Sequence, residues 1–118
     1  MVVGIDCNNT VKWVLRIIEY YTENENEMLG FIDTVMVREF VRRRGCHLML
    51  KDVNRICRAL ACIAVRHGGD FVIIGRELWI RLPVRTISKL PRSELIRAVY
   101  ECTKKRAWLE LKKAKKVL

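Results

Sequence analysis

The stretch that decides the fold is residues 51–82, which read KDVNRICRALACIAVRHGGDFVIIGRELWIRL. Apolar residues in its first half recur at helical spacing, and its second half alternates around a glycine turn. We therefore predict a helix from about Lys51 to His67, which ends at the Gly68–Gly69 pair. A β-hairpin over Asp70–Leu82 should follow.

The hairpin is specified by a two-residue loop of the type II′ kind, Gly75-Arg76. That loop fixes the register, so that residues 70–74 pair with residues 77–81 in antiparallel order. Alternation then puts Val72 opposite Trp79 on the outer face. The predicted inner face consists of Phe71, Ile73, Leu78 and Ile80.

The helix over 51–67 separates into an apolar face and a cationic face. Val53, Ile56 and Leu60 represent the apolar side. Asp52 is the one acidic residue, and it lies at the N-terminal edge where the helix dipole favours it. The polar side should carry Lys51, Asn54, Arg55, Arg58, Cys62 and Arg66, with Ala59 on its flank.

Two helices and a very short strand are expected before residue 45. Asn9 and Thr10 can cap a helix that runs to about Thr22. Phe31-Ile32 fits a very short strand. Asp33 or Thr34 then caps a second helix that ends at Arg44, where Gly45 supplies the stop.

The C-terminal third is predicted to be one long helix behind a linker. Pro83–Leu90 forms the linker, and Pro91 fits the first turn of a helix that runs to about Val117. We expect residues 1–83 to form the main unit, with residues 84–118 packed on the first helix or across a dimer. The fold class is then mainly α with a small β-hairpin.

A homodimer is expected from the unusually wide apolar arc of the first helix and from near-heptad spacing in the last. The alternative, in which the last helix folds back onto the first in the same chain, stays open. The candidate dimerisation residues are Trp13, Ile17, Tyr20, Tyr100, Ala107 and Leu111.

The charge is divided unevenly along the chain. The formal net charge is +10; residues 1–33 hold 2 Lys/Arg and 6 Asp/Glu, whereas residues 34–118 hold 21 and 7. The later part therefore favours a polyanionic partner, although a basic solvated surface would give the same count.

Cysteine usage predicts a reducing, cytoplasmic setting without a metal. The five cysteines form no C-x-x-C pair, and Cys46-His47 has no second ligand pair at zinc spacing. We see no basic leader of a signal peptide and no apolar run near the roughly 20 residues of a membrane span. We expect no cofactor.

The order helix, short strand, helix, helix, hairpin, helix resembles the winged helix-turn-helix domain of prokaryotic transcriptional regulators, of the small archaeal or archaeal-virus kind. The resemblance covers residues 9–82 and depends most on Val53–Leu82. It implies that the third helix enters the DNA major groove and that the hairpin forms a wing. The turn over Cys46–Leu50 is longer than is usual in that family.

The outward side of the third helix supplies the candidate DNA contacts. Asn54, Arg55 and Arg58 are the candidate base readers, because arginine can bond guanine twice and asparagine can bond adenine twice. Lys51 and His47, near the helix start, are expected to contact phosphate. The same side chains are equally typical of a helix face that is exposed to solvent and binds nothing.

Three further arginines extend the predicted interface. Arg76 stands at the hairpin tip, where a wing contacts the minor groove or the backbone, and Arg42 and Arg43 can hold flanking phosphates. The expected function is sequence-specific binding of double-stranded DNA, as a transcriptional regulator. The alternative is a winged-helix protein-interaction module. No phosphate-cradling glycine loop or nucleophile–base motif indicates an enzyme.

Overall fold

A computed structural model describes residues 7–24 and 30–116. The helices and strands are α1 (Thr10–Glu23), β1 (Phe31–Asp33), α2 (Thr34–Arg43), α3 (Leu50–Arg66), β2 (Asp70–Ile74), β3 (Glu77–Arg81), α4 (Val84–Ser88), α5 (Arg92–Cys102) and α6 (Lys105–Lys116). The protein is therefore mainly helical with one small antiparallel sheet, as the sequence predicts.

Side-chain caps define the starts of the first two helices. The Asn9 side chain accepts a hydrogen bond from the Lys12 amide at 3.1 Å, and Asp33 accepts one from the Met36 amide at 2.8 Å. Each bond satisfies a backbone donor that the helix itself leaves free. The predicted N-terminal boundaries of α1 and α2 are confirmed, and Gly45 follows α2 with a φ of 85°.

The sheet has the strand order β1-β3-β2, with both pairings antiparallel. The predicted register from residue 70 opposite 81 to residue 74 opposite 77 is confirmed. Gly75 has a φ of 63°, and no described non-glycine residue has a positive φ, which fits the type II′ loop. The predicted short strand near Phe31 is also confirmed, and it pairs with β3.

One inner-face prediction for the hairpin is wrong. Phe71, Leu78 and Ile80 are buried, but Ile73 is 54% exposed. Ile73 lies on the edge strand β2 and Leu78, its partner, lies on the central strand β3. The helices cover Leu78 on the central strand and leave Ile73 on the edge strand exposed to solvent.

The helix α3 is the centre of the core. It contacts α1, α2, α5, α6 and both strands of the hairpin. Because neighbours surround its C-terminal half, Ala59 and Cys62 are buried, whereas the sequence placed them on the solvent side. Arg66, on the same predicted face, is exposed and paired with Glu101 at 3.3 Å.

The C-terminal third differs from the single long helix that the sequence predicts. The linker contains α4, and the expected long helix is divided at Thr103 and Lys104. The Thr103 hydroxyl donates to the Tyr100 carbonyl at 2.9 Å, in the last turn of α5. The break lets α6 turn back, so that Trp108 packs against Phe71 at 5.6 Å between ring centroids.

Two disulfides replace the reduced cysteines that the sequence led us to expect. Cys7 is bonded to Cys46, and Cys62 is bonded to Cys102. Cys57 is a buried free thiol. The cysteine count misled because proximity in space, and not spacing in sequence, decides which thiols can pair.

None of the helices described for residues 7–24 and 30–116 has both the length and the apolar character to cross a bilayer.

Candidate nucleic-acid interface

The N-terminal half of α3 presents a row of polar side chains to solvent. Lys51, Arg55 and Arg58 are exposed and Asn54 is half-buried. The row spans about 10 Å of helix axis, at 1.5 Å per residue. It faces outward because Val53 and the apolar residues that follow it at helical spacing are held in the core.

The positive charge of this row is not balanced locally. Within the described ranges, no carboxylate lies within 4 Å of the cationic groups of Lys51, Arg55 or Arg58. Asp52 is the acidic residue in the first turn of α3. A polyanion would therefore meet cations that no carboxylate of the described residues has neutralised.

Arg58 contacts the last helix. Its guanidinium carbon lies 5.6 Å from the centroid of the Trp108 ring, which is a cation–π contact. Trp108 is itself buried and packs on Phe71 of β2. The indole therefore limits the positions that this side chain can take, and brings α6 to the border of the exposed row.

Arg76 is exposed at the tip of the β2–β3 hairpin, as predicted. Both strands of that hairpin contact α3, which positions the hairpin beside the helix that carries the row. Ile73 and Ile74 beside it are also exposed, which leaves a tip of mixed apolar and cationic character.

The remaining predicted DNA contacts are placed less favourably. Arg42 and Arg43 are exposed, but both are bonded to the Glu39 carboxylate, at 3.2 and 3.4 Å. A phosphate would have to compete with that carboxylate. His47 is exposed between α2 and α3. Cys46 is bonded to Cys7, so Cys46 and His47 do not form a pair of metal ligands.

The predicted dimer surface is partly contradicted. Trp13 and Ile17 are 2% and 1% exposed, so a second copy cannot reach them. They are covered within the chain, since α2, α4 and α5 as well as α3 pack on α1. Tyr20 and Tyr100 remain exposed.

The other two predicted dimer residues belong to α6. Ala107 and Leu111 are half-buried against the chain's own core. The predicted last helix thus folds back in the same chain: its first part, α5, packs on both α1 and α3, and its second part, α6, packs on α3 and α5.

Two features of the surface escaped the sequence analysis. One is the contact of Trp108 with Arg58, which depends on the break between α5 and α6. The other is a cavity between α1 and α2, whose signal was the cluster of Tyr20, Tyr21 and Phe40. Tyr20 and Tyr21 contributed to the wide apolar arc of the first helix that suggested a dimer.

Comparisons of the chain with protein-family models, with curated proteins and with solved structures find no match. Its function must therefore be inferred from the geometry and charge of its own surface.

Proposed function

We propose that this protein binds double-stranded DNA, with the N-terminal half of α3 in the major groove and the β2–β3 hairpin as a wing. The observation that carries the proposal is the row of Lys51, Arg55 and Arg58, which no described carboxylate approaches within 4 Å, on a helix whose opposite face forms the core. An α-helix fits the major groove, and a cationic helix face meets its phosphates without repulsion.

The order and pairing of the elements support the winged helix-turn-helix assignment. The elements α1, β1, α2, α3, β2 and β3 follow one another along the chain, and β1 completes the sheet beside β3. This is the arrangement that the resemblance in sequence pattern implies. The hairpin then stands next to the groove-binding helix, where a wing is needed.

Each side chain of the row has a distinct proposed contact. Arg55 and Arg58 offer two parallel donors to the O6 and N7 atoms of guanine, and Asn54 suits the N6 and N7 atoms of adenine. Lys51 and His47 bind phosphate, and Arg76 binds the backbone or the minor groove. We propose sequence-specific binding in regulation of transcription, without catalysis.

The test is a binding titration on a duplex selected from a random pool, followed by fluorescence anisotropy at several salt concentrations. We expect the affinity to fall steeply as salt rises, because bound cations release counterions. Arg55→Ala and Arg58→Ala should each weaken binding. Arg97→Ala is the matched control, since it removes the same charge from an exposed position on α5. If Arg55→Ala and Arg58→Ala bind the duplex as tightly as the Arg97→Ala control, α3 is not part of the interface.

A protein-interaction role is the second candidate, and the outer face of the sheet favours it. Phe31, Val72, Ile74 and Trp79 are exposed there and line a groove of about 300 Å³. Such an apolar patch is typical of protein contacts. This role predicts that the random-pool selection yields no preferred duplex and that binding is insensitive to Arg55→Ala.

We also propose a homodimer in the cytoplasm. Two-fold symmetry would match a palindromic site, and Tyr20 and Tyr100 are exposed candidates for the contact. Disulfides occur in intracellular proteins of hyperthermophilic archaea and bacteria, which reconciles the two cross-links with that location. A mass measurement in solution tests the dimer, and a monomer at micromolar concentration would exclude it.

A further inference from the structure

A cavity of about 400 Å³ lies between α1 and α2. Tyr20 and Tyr21 line it from α1, and Phe40 lines it from α2, with Ile17 and Val37 as apolar neighbours. Pockets of this volume with apolar and aromatic walls are typical of sites for small organic molecules. The cavity is not part of the proposed DNA-binding row.

The aromatic walls are arranged edge to face. The Tyr20 and Phe40 rings are 5.6 Å apart between centroids and inclined by 71°, and Tyr20 and Tyr21 are 5.7 Å apart at 73°. A planar ring placed among them would extend this packing. Burial raises the pKa of Tyr21 to about 12, with smaller contributions from Tyr20 and Asp33.

The guanidinium of Arg44 lies at the edge of the cavity, beside its aromatic walls. The Arg44 carbon Cζ lies 3.4 Å from the Phe40 ring centroid, and one terminal nitrogen donates to the Phe40 carbonyl at 3.0 Å. A guanidinium has five N–H donors, so this bond leaves several for a ligand. In residues 7–24 and 30–116, no carboxylate lies within 4 Å of Arg44.

The positive charge around Arg44 is crowded. Burial lowers the pKa of Arg44, repulsion from Arg16 and Arg43 lowers it further, and the interaction with Tyr20 partly opposes that shift. A bound anion would relieve that repulsion. Among the residues that the structure describes, the carboxylate that lines the cavity is that of Glu39, and it is already bonded to Arg42 and Arg43. It therefore does not neutralise Arg44.

We propose that this cavity is a binding site for a small aromatic carboxylate. The ring of the ligand packs among Tyr20, Tyr21 and Phe40, and its carboxylate bonds to Arg44. An aromatic wall with a flat cation at its edge selects a ligand that has a flat apolar part and a negative end. The site goes beyond the proposed DNA binding and does not depend on it.

The test compares three probes of one shape and different charge: 2-naphthoate, 2-naphthamide and 2-naphthylmethylamine. Each is titrated into the isotope-labelled full chain, and amide and arginine side-chain signals are followed by NMR. We expect 2-naphthoate to saturate with shifts at Tyr20, Phe40 and Arg44. We expect the amide to bind at least about tenfold more weakly, a difference of about 1.4 kcal/mol. Equal binding of the amide and the acid, or no saturable binding of the acid, would overturn the proposal.

Two variants that each remove one arginine charge show where the carboxylate of 2-naphthoate binds. Arg44→Gln should weaken 2-naphthoate about tenfold and leave the amide unchanged, whereas Arg97→Gln on α5 should affect neither. Equal affinity of the two variants for 2-naphthoate would place the carboxylate elsewhere and overturn the assignment. Circular dichroism checks that each variant is folded, and the comparison of the three probes on the unaltered chain needs no variant.

Discussion

The guanidinium of Arg58 lies over the ring of Trp108, at 5.6 Å from the ring centroid, although fifty residues separate them in sequence. A side chain of the last helix thereby positions a cation on the exposed half of α3. Phe71 also packs against the indole. The C-terminal third is thus part of the proposed interface and not an appendage to it.

The first prediction is that Trp108 acts on DNA binding through Arg58. Arg58→Ala should cost about 1–3 kcal/mol of binding free energy on a selected duplex. Trp108→Leu should cost less, because the cation remains but is less well positioned. The double variant should bind no more weakly than Arg58→Ala alone, as an anisotropy titration would show. Additive losses would mean that the two residues act independently.

The second prediction concerns Thr34, a buried polar residue at the start of α2. Its hydroxyl oxygen accepts a hydrogen bond from the Leu78 amide at 3.1 Å and so joins α2 to β3. Thr34→Val keeps the shape and leaves that amide unsatisfied, which should lower the free energy of unfolding by about 1–3 kcal/mol. Urea denaturation measures it. Thr34→Ser keeps the acceptor and should lose less; the opposite order would show that the methyl group matters more than the bond.

The third prediction is a thiol count. In denaturant without reductant, a colorimetric thiol assay should find one thiol per chain, that of Cys57. After reduction it should find all five cysteines of the sequence. Replacing Cys62 and Cys102 together by alanine should lower the free energy of unfolding by about 2–4 kcal/mol, since the cross-link restricts the unfolded chain. Three or more thiols before reduction would mean that a disulfide is absent in solution.

The fourth prediction is a loss of stability at alkaline pH. Burial raises the pKa of the Cys57 thiol from 9.0 to about 12, and burial raises that of Tyr21 from 10.0 to about 12. The unfolded chain then releases these protons first, so the free energy of unfolding should fall as pH rises from about 9 to about 12. Below about pH 9 the two groups contribute no slope.

Denaturant titrations at several pH values test this directly, and two variants assign the effect. Cys57→Ala removes the thiol and Tyr21→Phe removes the phenol, so each should flatten part of the decline. An unchanged profile in both variants would attribute the alkaline loss to other groups.

The local structure was largely predictable where short-range rules act. The Gly75-Arg76 loop and the alternation around it determine the register of the hairpin, and all five residue pairs agree. The caps at Asn9 and Asp33 likewise depend only on neighbouring amides. The outward row of α3 followed from its helical spacing alone.

The packing of the C-terminal third was not predictable, because its determinants are distant in sequence. The apolar spacing of the predicted last helix is interrupted at Lys104 but resumes at Ala107, and nothing local indicates that Cys102 will bond to Cys62 or that Trp108 will reach Phe71. The apolar arc of α1 poses the same difficulty. Its width shows that Trp13 and Ile17 need cover, but not whether helices of the same chain or a second copy supply it.

The two cross-links also decide what happens when the backbone is cut. They close two successive loops, from Cys7 to Cys46 and from Cys62 to Cys102, and the loops do not overlap. A single cleavage inside either loop leaves all the pieces covalently joined. A cut between the two loops, in residues 47–61, would separate the N-terminal half of the chain from the C-terminal half. Most of that stretch lies within α3. A molecule nicked inside either loop would therefore run at full mass on a gel until a reducing agent was added.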